Sequence, residues 1–247
     1  MYCQLSLTIC IVMTLLYDAP EAVSAKKEAR KMKKCEGDST DCIFDGDMIL
    51  TSEQMRKIFR REKRQAARAR PKHDIWGKTV YFYFDPFHTS DNLRKEFNYA
   101  REAWEKDTCV NFTEIKHKGE GEQPLILGKG CESFGHIAHE LGHALGLYHT
   151  MNRHDRDKYI KINEKNIQAG NLGQFNKTTV DENENYGFEY DYGSIMHYSQ
   201  SIYTEKKKGP AFTTLDEKYE YTVGSDMLSF IDLAMINAHY HCQGNSF

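Results

Sequence analysis

Residues 139–157 read His-Glu-Leu-Gly-His-Ala-Leu-Gly-Leu-Tyr-His-Thr-Met-Asn-Arg-His-Asp-Arg-Asp, and this stretch decides the fold. Residues four apart stack on one face of a helix, so His139 and His143 can offer imidazole nitrogens to a single ion. Gly146 stands where such a helix must stop. Glycine takes the left-handed conformation without a Cβ penalty, and the turn can swing His149 back toward the same ion. Zinc accepts neutral imidazoles in tetrahedral geometry, and three histidines leave one position for water. Glu140 lies beside this ligand set without belonging to it and is the candidate base. A lone His-Glu-x-x-His is a moderate signal, but the continuation to Gly146 and His149 makes coincidence improbable. The bland alternative is a set of ordinary, partly buried histidines. His136 shares the helix face with His139 and His143 and reads as a packing neighbour rather than a fourth ligand. His239 and His241, two apart on a terminal helix, point in different directions and read as surface residues.

Around this stretch, 247 residues with 28% charged side chains and a formal charge of -3 suit one globular catalytic domain preceded by leader segments. The apolar run from Leu5 to Leu16, followed by Val23-Ser24-Ala25, reads as a signal peptide over residues 1–25, with a buried amino-terminal helix as the alternative. The run is too short for a membrane span. Secretion permits disulfides, which makes the seven cysteines informative. Cys3 and Cys10 leave with the signal peptide, and Cys35 and Cys42 lie in a polar leader. Cys109, Cys131 and Cys242 form an odd set in the domain, so one thiol stays unpaired or reaches the leader or another molecule. The acceptor sequons at Asn111 and Asn176 agree with a secretory route.

Between Met55 and Lys72 the charge turns basic, and Arg61-Glu62-Lys63-Arg64 matches the pattern that secretory processing proteases cut after. Cutting at Arg64 divides a propeptide, residues 26–64, from a domain, residues 65–247. A solvated basic helix over Met55–Arg70 is the plain alternative, and the near-neutral balance speaks against a nucleic-acid arm. Thr79–Phe84 is a β-branched and aromatic run ended by Asp85-Pro86 and predicts a strand. Leu93, Phe97, Ala100 and Trp104 recur at helical spacing and predict a helix from about Ser90 to Lys106. Leu125–Leu127 predicts a short buried strand. Ser229–Tyr240 predicts a last helix, opened by a capping box of Ser229 and Asp232. The fold class is α+β.

With these pieces placed, the chain resembles the astacin family of zinc metalloproteases, a branch of the metzincins, over roughly residues 40–242. The resemblance rests on the extended zinc motif ending in Arg153-His154-Asp155-Arg156-Asp157, on the turn Ser194-Ile195-Met196-His197-Tyr198, and on the terminal Asn237-Ala238-His239-Tyr240-His241-Cys242. A further match is Phe44-Asp45-Gly46-Asp47 in the leader.

The resemblance implies a metzincin-like architecture, with a twisted sheet and two long helices above a cleft and a mostly irregular lower subdomain with a C-terminal helix. It implies one zinc ion per subunit on His139, His143 and His149, with Met196 as an apolar floor and Tyr198 as a displaceable further ligand that hydrogen-bonds the oxyanion. Glu140 would then move the proton in a secreted endopeptidase acting on protein or peptide substrates, and Asp47 would plug the metal site of the zymogen until a processing protease cuts after Arg64. Cys109 would pair with Cys242.

The chain departs from the family pattern twice. Thr150 replaces the glutamate that usually follows the third histidine. The segment between Cys109 and Cys131 is short, with a join near Gly121-Glu122. It lacks the cysteine that partners Cys131 and the edge strand that carries it, so the resemblance leaves Cys131 an orphan. The alternative reading is therefore a catalytically impaired zinc-binding or regulatory homologue.

Overall fold

The computed structural model describes residues 9–14, 41–44, 48–51, 77–87, 89–116, 122–127, 131–181 and 183–243. In chain order its elements are β1 (Ile9–Thr14), β2 (Asp41–Phe44), β3 (Met48–Thr51), β4 (Thr79–Phe84), α1 (Asp91–Lys106), β5 (Asn111–Glu114), β6 (Glu122–Leu127), α2 (Phe134–Ala144), β7 (Ile160–Ile162), β8 (Phe212–Thr214) and α3 (Phe230–His239). Mixed helices and small sheets make the fold α+β. No helix of the described residues is long and apolar enough to cross a membrane. The basic stretch Met55–Lys72, the cutting site at Arg64 and the aspartate at Asp47 fall outside the described residues. In sequence, Asp47 belongs to the link between the paired strands β2 and β3.

The upper sheet runs β5-β4-β1-β6. β4 and β5 are parallel, whereas β1 is antiparallel to both its neighbours, with Ile11 opposite Phe84 and Leu125, and Thr14 opposite Tyr81 and Glu122. Ile9–Thr14, part of the apolar run expected to form a signal peptide, is a strand here and not the helix of the alternative reading. Within this sheet β6 forms an edge and β1 lies inside, between β4 and β6. The physical reason is that Ile-Cys-Ile-Val-Met-Thr is β-branched and apolar at consecutive positions, which suits a strand covered on both faces as well as it suits a signal sequence.

Helix α1 starts at Ser90, whose hydroxyl oxygen accepts from the Leu93 amide at 3.1 Å. It buries the predicted stripe of Leu93, Phe97, Ala100 and Trp104. Trp104 reaches α2, donating from Nε1 to the Ala138 carbonyl at 3.0 Å. One apolar cluster joins the sheet, α1 and α2 with Ile195, Met196 and the residues Met235, Ile236 and Tyr240 at the end of the chain. A second gathers Met151, Ile160, Ile167, Phe175, Tyr190, Tyr192, Tyr198, Ala211 and Phe212. This lower part has little regular structure beyond the two-stranded β7-β8 sheet and short 3-10 turns.

Cys109 and Cys242 are joined by a disulfide that ties the end of α1 to the chain beyond α3. Cys131 is also disulfide-bonded, which corrects its reading as an orphan. Its partner lies outside the described side chains.

Candidate metal centre

Helix α2 carries His139, Glu140 and His143, and it ends as the motif predicts. Leu145 caps it, and Gly146 turns with φ of 100°, a left-handed conformation that L side chains rarely adopt. A Cβ at Gly146 would also lie 2.9 Å from Nε2 of His239. The turn returns the chain so that His149 faces the helix. His139, His143 and His149 form the group able to hold one metal ion among the described residues.

Two of the three imidazoles have their protons assigned by geometry. His139 Nδ1 lies 2.7 Å from the Ile195 carbonyl, and His143 Nδ1 lies 2.7 Å from the Leu147 carbonyl. A carbonyl can only accept, so both Nδ1 atoms carry the hydrogen and both Nε2 atoms present lone pairs. Those Nε2 atoms stand 3.2 Å and 3.3 Å from Nε2 of His149. Three ring nitrogens gathered at that distance can share one cation. Nitrogens held about 2.0–2.1 Å from a tetrahedral zinc ion would sit about 3.3–3.4 Å apart, so the donor set fits zinc. Glu140 is half-buried on the same helix, one residue beyond the first ligand.

The packing of Met196 against α2 depends on a residue that the motif reading passed over. A Cβ on Gly142 would fall 2.6 Å from Met196 Sδ and 3.3 Å from the Trp104 ring. Glycine inside a helix costs roughly 1 kcal/mol relative to alanine. Its absent side chain is what lets buried Met196 press against the helix between His139 and His143. The signal was available: a glycine within a helical pattern needs a packing reason.

The turn that carries Met196 is clamped from α3. Asp232 accepts from Ser194 Oγ at 2.6 Å, from the Ile195 amide at 2.9 Å and from the Ser229 amide at 2.8 Å. Ile195 therefore gives its amide to Asp232 and its carbonyl to His139, so the capping box of α3 also orients a metal ligand. Thr150 joins the same network, donating to Ser194 Oγ at 3.0 Å, and its amide donates to the Met196 carbonyl at 2.9 Å. Burial pushes the Asp232 carboxyl up to about 6 against the pull of its hydrogen bonds.

Tyr198 is buried, its ring 4.2 Å from that of His149. The Arg153–Asp157 element braces the segment beyond the ligands. Arg153 donates to Asp155 and to the carbonyls of Phe188 and Glu189. Arg156 Nη1 donates to the carbonyls of Met151 and Phe175 at 2.8 and 2.6 Å. Asp157 pairs with Arg156 and Lys177. Burial would raise the Asp155 carboxyl, but the hydrogen bond and charge of Arg153 hold it below the usual range.

Other expected positions are distributed as follows. His136 bonds Ser133 Oγ through Nδ1 at 2.7 Å, is half-buried and does not belong to the three-histidine group. Asn111 and Asn176 are exposed. His241 is exposed, but His239 is fully buried with Nδ1 2.8 Å from the Tyr186 hydroxyl, which corrects its reading as a surface residue. The cause is the Gly146 turn, which packs directly on it.

The family model for astacin, a peptidase family, matches residues 116–241. Zinc metalloproteinase nas-31 of Caenorhabditis elegans is 37% identical over 258 residues, covering 88% of this chain and 42% of the relative. Zinc metalloproteinase dpy-31 of Teladorsagia circumcincta is 32% identical, covering 80% of this chain and 37% of the relative. The chain thus spans less than half the length of these relatives. The nas-31 alignment is longer than the whole 247-residue chain, so that relative has residues with no counterpart here. Among solved structures, high choriolytic enzyme 1, a hatching enzyme zinc-protease from the medaka Oryzias latipes, superposes with a TM-score of 0.65 at 26% identity, covering 72% of this chain and all of that one. Three converging imidazoles, the methionine turn clamped beneath them and matched relatives spanning most of the chain place this protein in the astacin family.

Proposed function

We propose that the chain is a secreted zinc-dependent endopeptidase made as a latent precursor. The observation that carries this reading is the convergence of three imidazole Nε2 atoms, two of them with assigned lone pairs, with a carboxylate, Glu140, one residue along the same helix. Zinc held by His139, His143 and His149 would supply an activated water near neutral pH and polarise the scissile carbonyl. Glu140 is the carboxylate that would hold the proton and pass it to the leaving amine. Tyr198 donates from its hydroxyl to the oxyanion once a peptide has displaced the ring from His149.

Asp47 holds the site shut in the precursor, and a processing protease acting after Arg64 releases it. The amino-terminal apolar run, the Cys109–Cys242 disulfide and the exposed sequons at Asn111 and Asn176 support a secretory route. Protein or peptide chains are the substrates.

A second reading is favoured by one observation. Cleavage at the end of the signal peptide would carry away β1, the inner strand that joins β4 to β6. On that reading the secreted form keeps its metal site but has an impaired cleft wall, and it binds without cutting. To decide, residues 26–247 are expressed, cut after Arg64 and assayed on unstructured peptides with and without a zinc chelator. The enzyme reading expects hydrolysis that the chelator stops and that Glu140→Ala lowers by about 10²-fold or more at unchanged zinc content. Folded, zinc-loaded parent protein that cuts nothing establishes the second reading.

A further inference from the structure

The Tyr198 ring stands among three others. Its centroid is 4.2 Å from that of His149, 5.7 Å from Tyr203 in an edge-to-face arrangement, and 6.2 Å from Phe175, also edge-to-face. Two of these neighbours are held from behind. Phe175 is buried, and its carbonyl is fixed by Arg156. Tyr203 sits at φ of 53°, the left-handed region that costs a non-glycine residue and persists only where the surroundings hold it.

The surroundings of Tyr203 do so. Its carbonyl accepts from the Gln168 amide at 2.9 Å, and the Glu205 amide donates to the Asn166 carbonyl at 2.9 Å. Thr204 bridges to Ile167, and the Thr204 carbonyl accepts from Gln168 Nε2 at 3.1 Å. Glycine or asparagine would fit this backbone with less strain. The tyrosine side chain packs on the lower apolar cluster, with its ring turned edge to face with Tyr198.

We propose that Tyr203 is a positioning residue for Tyr198. Its ring is a fixed wall that favours the Tyr198 position against His149, and so sets how readily an incoming peptide displaces that ring. The inference rests on the reading of Tyr198 as a displaceable ligand. Removing the wall weakens the resting contact, with two consequences. The fraction of molecules with Tyr198 at the metal falls, and a substrate that must displace the ring binds more easily. General structural damage would produce the opposite kinetic sign.

Tyr203→Asn tests this, because asparagine tolerates the left-handed backbone and removes the ring without adding strain. Tyr203→Phe retains the ring. In copper(II)-substituted protein, the phenolate-to-copper absorption band reports Tyr198 at the metal, independently of turnover. Tyr203→Asn is expected to weaken that band and to lower KM by a few-fold, within the range of about two- to tenfold that one ring pair supplies, with kcat kept within about twofold. Tyr203→Phe is expected to behave as the parent. A band and KM left unchanged in Tyr203→Asn overturn the inference, as does a lowered kcat with an unchanged band. A band that survives Tyr198→Phe overturns the Tyr198 reading and this inference together. A band abolished by Tyr198→Phe but untouched by Tyr203→Asn overturns this inference alone.

Discussion

The metal centre and the upper sheet of this protein are built to different standards. Around the histidines the supports form a linked network: His139 is held by Ile195, Ile195 by Asp232, and Asp232 by the start of α3. The sheet depends instead on one strand. β4 and β6 do not pair with each other, and β1, from the far amino terminus, is what connects them. A site held by a network around one helix keeps its partners when the chain changes at its amino terminus, whereas a sheet joined through one strand loses its continuity with that strand.

The largest test of this contrast is deletion of residues 1–25. It removes the six-residue β1 and leaves facing edges of β4 and β6 without backbone partners. The lost backbone hydrogen bonds, at about 0.5–1.5 kcal/mol each, fall on the sheet, whereas the three histidines keep every partner named above and residues 26–247 stay folded around the metal centre. We expect amide protection at residues 79–84 and 122–127 to collapse in hydrogen exchange. An equally protected, equally stable truncated protein would show that β1 is dispensable and would erase the contrast.

A smaller effect is expected from breaking the metal centre at its remotest support. Asp232→Ala leaves the Ser194 hydroxyl and the Ile195 and Ser229 amides without their acceptor. Each buried donor left in that state costs about 1–3 kcal/mol, partly relieved by water entering the space. A net loss of about 2–4 kcal/mol in denaturant unfolding follows, together with weaker zinc retention against a chelator, because the Ile195 carbonyl no longer holds His139 in place. Unchanged zinc retention in a destabilised variant would confine Asp232 to capping α3.

These two regions were also unequally legible in the sequence. The ligand spacing, the stop at Gly146, the strand Thr79–Phe84 and the helices starting after Ser90 and Ser229 are local patterns, and local patterns encode their own geometry. The capping box of Ser229 and Asp232 was readable, but its second use, gripping the Ile195 turn, joins residues far apart in sequence and left no periodic trace. β1 was hidden for another reason. A six-residue apolar run suits a signal-sequence core and a strand alike, and the run itself does not name its pairing partners. His239 was misjudged because two-residue spacing on a helix says which way a side chain points but not what the Gly146 turn brings over it.

The smallest expected effect concerns that histidine and the seam between α2 and α3. Burial, with a minor contribution from the charge of His241, lowers the His239 pKa from 6.5 to about 4. His239 Nε2 has no hydrogen-bond partner, while Nδ1 meets the Tyr186 hydroxyl. The folded state therefore keeps the ring neutral, and the unfolded chain binds its proton first as the pH falls. Stability contributed by the neutral ring is present above about pH 6.5 and drains away toward pH 4. Between pH 7 and 5.5 the loss amounts to about 1 kcal/mol, read as a falling denaturant midpoint at constant slope. His239→Gln removes the titrating group and should flatten that part of the profile, although it lowers stability at neutral pH by disturbing the contact with Gly146. A profile as steep in the variant as in the parent would move the acid sensitivity elsewhere, and His197, buried and also lowered to about 4, is the group next in line.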